Sequence, residues 1–103
     1  MQRLQTLLGW LEITPHDPFI HFGIAMEYIS MDDHEKALQK MEFILEGFPD
    51  YLANYYQLAK QYEIAEAKEK AIEVYEKGIS LALKQNETKT ANELRSALEE
   101  LIF

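Results

Sequence analysis

The sequence predicts an all-α fold, a stack of short antiparallel helices, and three observations point to it. Tyr55, Leu58, Ala59 and Tyr62 fall at helical spacing, as do Ala71, Ile72, Val74, Tyr75 and Ile79 after a charged break. The pattern occurs twice: 34 residues earlier, Ile24, Ala25, Tyr28 and Ala37 stand where Leu58, Ala59, Tyr62 and Ala71 stand later. Turn residues punctuate the chain at matching places, with Pro15 lying 34 residues before Pro49. A unit of this length cannot bury its own apolar face, so neighbouring units must stack.

Residues 1–14 place Leu4, Leu7, Leu8 and Leu11 on one helical face, with Trp10 and Ile13 at its margin, and stop before Pro15. Asp17-Pro18 then starts a second helix: Asp caps free backbone N–H groups, and Pro at the first helical position loses no hydrogen bond. It should run to about Ser30. The turn Met31-Asp32-Asp33 offers a cap for a third helix from about His34 to Glu46, closed by Gly47 and Pro49. Asp50 is the expected cap of the fourth, and the fifth, carrying Ala71 and Tyr75, should extend to about Lys84. Asn86 is the expected cap of the last helix, whose stripe is Leu94, Ala97, Leu98 and Leu101.

These residues carry a resemblance to the tetratricopeptide repeat family, whose pattern is an aromatic, Leu-Gly, Tyr, then Ala, an aromatic and Pro. Tyr55, Leu58-Ala59, Tyr62, Ala71 and Tyr75 follow it well. In the earlier copy His21 stands where the large aromatic is expected and Ile24-Ala25 replace Leu-Gly; in the later one Gly78 replaces an alanine-like residue and Leu83 the closing proline. The resemblance implies a right-handed stack in a single domain over 1–103: a half-repeat helix at 1–14, repeats at 18–51 and 52–85, and a capping helix at 86–103. Ala25, Ala37, Ala59 and Ala71 would then allow close helix crossings, and Tyr28, Tyr62 and Tyr75 would fill the space between hairpins.

Proteins similar to this one bind extended or helical peptides in a groove lined by the first helix of each hairpin. Here the residues that should face it are Phe19, Phe22, Met26 and Ile29, then Ala53, Tyr56, Lys60 and Glu63, and the candidates for partner binding are Phe19, Phe22, Met26, Ile29, Tyr56 and Lys60. The first of these helices is apolar on both faces, so the N-terminal helix, an aromatic cluster, a partner or a second copy should cover Phe19, Phe22 and Met26. One subgroup of the family holds a C-terminal carboxylate with lysine, arginine and asparagine; where that clamp begins this chain has Phe22 and Met26, and further on Glu87 and Ala91, so the clamp is absent. The expected function is a protein–protein interaction module for a peptide or partner helix, the alternative a homodimeric scaffold.

Composition narrows the remaining classes. A formal charge of −8 with no Lys/Arg cluster repels a phosphate backbone, which argues against nucleic acid. Leu7-Leu8-Gly9-Trp10-Leu11 is too short to span a bilayer, so no membrane association and a cytoplasmic location are expected. Cysteine is absent, and although His16, His21 and His34 with Asp17, Asp32 and Asp33 supply ligand types, no two of the histidines have the i, i+4 spacing of a helical metal site, so no metal is expected. No glycine-rich phosphate loop and no cysteine nucleophile occur, so neither catalysis nor a cofactor is expected. Glu66, Glu69, Lys70, Glu73, Glu76 and Lys77 read as a solvated helix face.

Overall fold

Asp17 starts its helix as its chemistry dictates: the carboxylate accepts from Phe19 N at 3.0 Å, and Pro18 occupies the first turn. The computed structural model describes residues 2–103 and forms six helices: α1 (Gln2–Ile13), α2 (Pro18–Ser30), α3 (His34–Gly47), α4 (Ala53–Ile64), α5 (Lys68–Lys84) and α6 (Thr88–Ile102). No described residue lies in a strand. Asp33 caps α3 by accepting from Lys36 N at 3.2 Å.

Two expected caps are corrected. Leu52, not Asp50, is the cap residue of α4; it already has helical angles, φ −59° and ψ −40°, and as a leucine it offers no side-chain cap bond. At α6 the cap position falls on Glu87, again without a side-chain bond, while Asn86 takes φ 62°. Asn tolerates the left-handed region, and the turn uses that tolerance in place of its capping ability. Asp32 and Glu66 are left-handed at the two equivalent turns. After each left-handed residue the next N–H reaches back to a helix carbonyl, Asp33 to Tyr28, Ala67 to Tyr62 and Glu87 to Ala82, each at 2.8 Å, and so helps to satisfy the acceptors at the helix end.

The chain divides into two compact units, Met1–Tyr51 and Leu52–Phe103. In the first, α1 packs on α2 and α2 on α3. Leu7, Ile20 and Ile24 form a buried cluster edged by Leu4, Leu11 and Tyr28, and α1 comes close over Gly23, where an added Cβ would lie 3.3 Å from Leu7 Cδ2. Leu8 is largely outside this seam. Ala25, Ala37, Met41 and Ile44 are sealed.

In the second unit α5 packs against both α4 and α6. Leu58, Ala59, Ala71, Tyr75, Ala82, Ala91 and Leu94 are fully buried. The tightest crossing is at Gly78: a Cβ there would lie 2.9 Å from Tyr55 Cβ and 3.0 Å from Leu94 Cδ1, so no side chain fits without displacing its neighbours. Leu94 and Ala97 of α6 turn inward, and its charged residues are exposed. No helix among the described residues is long and apolar enough to cross a membrane.

Candidate functional site

Tyr56, Lys60 and Glu63 follow one another at four- and three-residue steps and so share a face of α4. Lys60 Nζ lies 5.4 Å from the Tyr56 ring centroid and 3.6 Å from Glu63 Oε2. From α5, the buried Tyr75 donates its hydroxyl to Glu63 Oε2 and meets the Tyr56 ring edge-on at 6.4 Å. Burial pushes the Tyr75 phenol well above its ordinary value, helped by the bond to and charge of Glu63 and then by Tyr56 and Glu100. Tyr75 therefore stays a neutral donor that fixes Glu63, and Glu63 in turn holds Lys60 beside the ring.

This face opens onto α6. Tyr56 with Thr88, Asn92, Ser96, Ala97 and Glu100 walls a cleft of about 760 Å³. Hydroxyl, amide, ammonium and carboxylate side chains line it together with one aromatic ring. Such a surface can hold a peptide by stacking and hydrogen bonds, with no reacting group required.

The other candidates belong to the first unit. Phe19 is 65% exposed, whereas Phe22, Met26 and Ile29 are half-buried. The α1 seam covers the Ile20–Ile24 side of α2. Cover for Phe22 comes instead from Tyr51, whose ring centroid is 5.6 Å away. The structure thus gathers Tyr56 and Lys60 with Glu63 and Tyr75 in one unit, and Phe22 with Tyr51 in the other. Neither Tyr51 nor the Tyr75–Glu63 bond was signalled in the sequence: Tyr51 follows a Pro-Asp turn, and Tyr75 occupies an ordinary core position.

His21 is a satisfied core histidine. Its Nε2 lies 2.8 Å from the Pro15 carbonyl, which only accepts, so Nε2 carries the proton and Nδ1 accepts from the Lys40 ammonium at 3.2 Å. Phe43 and Phe48 stand at 4.9 and 5.9 Å from the imidazole, and burial lowers the Lys40 pKa. His16 is exposed, and His34 bonds Asp32 at 2.9 Å. Among the described residues, no three His, Cys, Asp or Glu side chains gather to hold a metal ion.

Two packed units of antiparallel helices in one sequence register define a helical-repeat protein. Among solved structures the chain is similar to a tetratricopeptide repeat domain protein from Salinibacter ruber: the solution structure is 34% identical at TM-score 0.81 over 85% of this chain and 89% of that one. The crystal structure of the Salinibacter domain gives 34% identity and TM-score 0.80 over 82% and 96%. The chain belongs to the tetratricopeptide repeat family. The Sgt2 tetratricopeptide domain of Aspergillus fumigatus, 23% identical over 94% of this chain and 66% of that one at TM-score 0.71, shares the fold. No family model matches the chain, and neither does any curated protein sequence.

Proposed function

We propose that this chain is a non-catalytic protein–protein interaction module that holds a peptide or partner helix on the inner faces of its hairpins. The observation that carries the reading is the cleft between α4 and α6, where Tyr56 presents its ring to a polar wall and Lys60 is held beside it. In the first unit the proposed contacts are the apolar Phe19, Phe22, Met26 and Ile29, and in the second they are Tyr56 and Lys60. Family membership supports this reading, since tetratricopeptide domains are in general interaction modules. The repeats at 18–51 and 52–85, with the half-repeat at 1–14 and cap at 86–103, act as a single domain of a cytoplasmic protein. Its charge of −8 favours a protein partner over nucleic acid, and no membrane is involved.

The 65% exposure of Phe19 favours one second reading, a homodimer built on the first unit. Selecting peptides on the pure protein and testing them against Tyr56→Ala and Phe22→Ala separates the two. A binding hot spot loses about 2 kcal/mol or more on truncation. Both variants should lose some stability, since Tyr56 packs on Tyr75 and Phe22 on Tyr51, and the module reading requires that Tyr56→Ala also lose that affinity at temperatures where it is fully folded. Sedimentation showing a dimer that Phe19→Ser dissociates, with Tyr56→Ala indifferent to every selected peptide, would replace the module by the scaffold.

A further inference from the structure

Two surface turns of the first unit share an edge. The run 13–18, linking α1 to α2, walls a cleft of about 530 Å³ that ends on Pro18. The exit of α3, from Gly47 to Tyr51, walls a second of about 390 Å³ that ends on the same Pro18. Pro15, Pro18 and Pro49 give these walls rigid apolar rings with no N–H to hydrate. Ile13 is 78% exposed, and Phe48 and Tyr51 are half-buried beside the second cleft. Tyr51 joins the turns, with its ring against Phe22 and its phenol near enough to Asp17 that burial first, then that carboxylate, raises its pKa.

Charge selects the occupant. Asp17 and Asp50 line the clefts, Glu12 and Glu46 immediately precede them, and no lysine or arginine occurs between Arg3 and Lys36 or between Lys40 and Lys60. The first unit as a whole carries nine Asp and Glu against three Lys and Arg. A second copy would set like charge against like, which costs affinity, whereas a cationic partner gains. Proline rings and aromatic edges suit an extended backbone, because that conformation is already ordered before it docks.

We propose that this double cleft, distinct from the α4–α6 surface, docks an extended cationic segment of a partner protein. An apolar residue or proline sits on Pro18 between Ile13 and Tyr51, and a neighbouring arginine or lysine faces Asp17 and Asp50.

The test titrates the full chain with a capped hexapeptide carrying Leu-Pro followed by two arginines. The control is the same peptide with glutamates for the arginines. Amide NMR signals of residues 13–18 and 47–51 should shift with the first peptide and not the second. Asp17→Asn and Asp50→Asn together should weaken binding about tenfold, as two lost exposed ion pairs allow. Asn caps α2 as Asp does, so Asp17→Asn changes charge and keeps the helix start; Asp50→Asn alone serves if the pair does not fold. No shift at millimolar peptide, shifts confined to α4 and α6, equal binding of the glutamate peptide, or affinity unchanged in the variants each overturns the proposal.

Discussion

His21 in the first hairpin and Tyr55 in the second occupy the same place in the 34-residue register, and both are buried. Their counterparts on the second helix of each hairpin are Ile44 and Gly78, also buried. A mid-sized ring goes with a large aliphatic in one, and a large ring with no side chain in the other. The division of bulk between the two helices is reversed, and the larger ring goes with the smaller partner. The units also start their helices differently: Asp17 and Asp33 cap α2 and α3 with side-chain bonds, whereas α4, α5 and α6 have none. A repeat therefore fixes the shape of a crossing and leaves open which residues fill it and how its ends are tied.

Exchanging the crossing residues gives the largest expected effects. Ile44→Gly removes a sealed side chain and adds a helix-interior glycine, which should cost about 4 kcal/mol or more. Gly78→Ile meets Tyr55 Cβ, which cannot swing away, and should cost about 3 kcal/mol. Adding Tyr55→His to Gly78→Ile should recover part of that loss in urea unfolding. A double variant no more stable than the single would break the idea of compensating volumes.

Tyr75→Phe tests the bond that has no equivalent in the first unit, and should cost about 1–2 kcal/mol at neutral pH. The phenol's pKa is raised in the folded chain above its ordinary 10.0, so the folded state keeps a proton that the unfolded state releases. Its contribution is complete below pH 10 and is lost as pH rises beyond it. The stability gap between parent and variant should accordingly be flat to about pH 10 and shrink above; a gap that widens there would contradict the neutral-donor role.

Caps give the smallest effect. Ala67 stands 34 residues after Asp33, so Ala67→Asp copies the first unit's cap into the second and should stabilise by about 1 kcal/mol, while Asp33→Ala should lose about as much. Equal melting temperatures for both variants and the parent would show that the cap difference carries no energy.

How far these features were legible depended on the range of the interaction. Asp17-Pro18 could be read because cap and helix lie within three residues. Asp50 and Asn86 were misread because a residue able to cap is equally able to sit in a turn, and the backbone around Leu52 and Glu87 decided which. Tyr56 and Lys60 could be placed on one helix face by spacing, but Glu63 and Tyr75 meet across two helices, and the polar face of α6 reads as plain solvent-facing surface. His21 was legible as a replaced core aromatic, while its partners, the Pro15 carbonyl and Lys40, come from other elements.

Within each unit the main pairings are between helices consecutive in the chain, α1 with α2, α2 with α3, α4 with α5 and α5 with α6. Local pairings of helices form in microseconds to milliseconds, whereas a ribosome adds about 5–20 residues per second. The 14 residues of α3 thus take on the order of a second to emerge, and α2 is already waiting. Each hairpin can close before the next is made, so the nascent chain need not expose all its apolar faces at once.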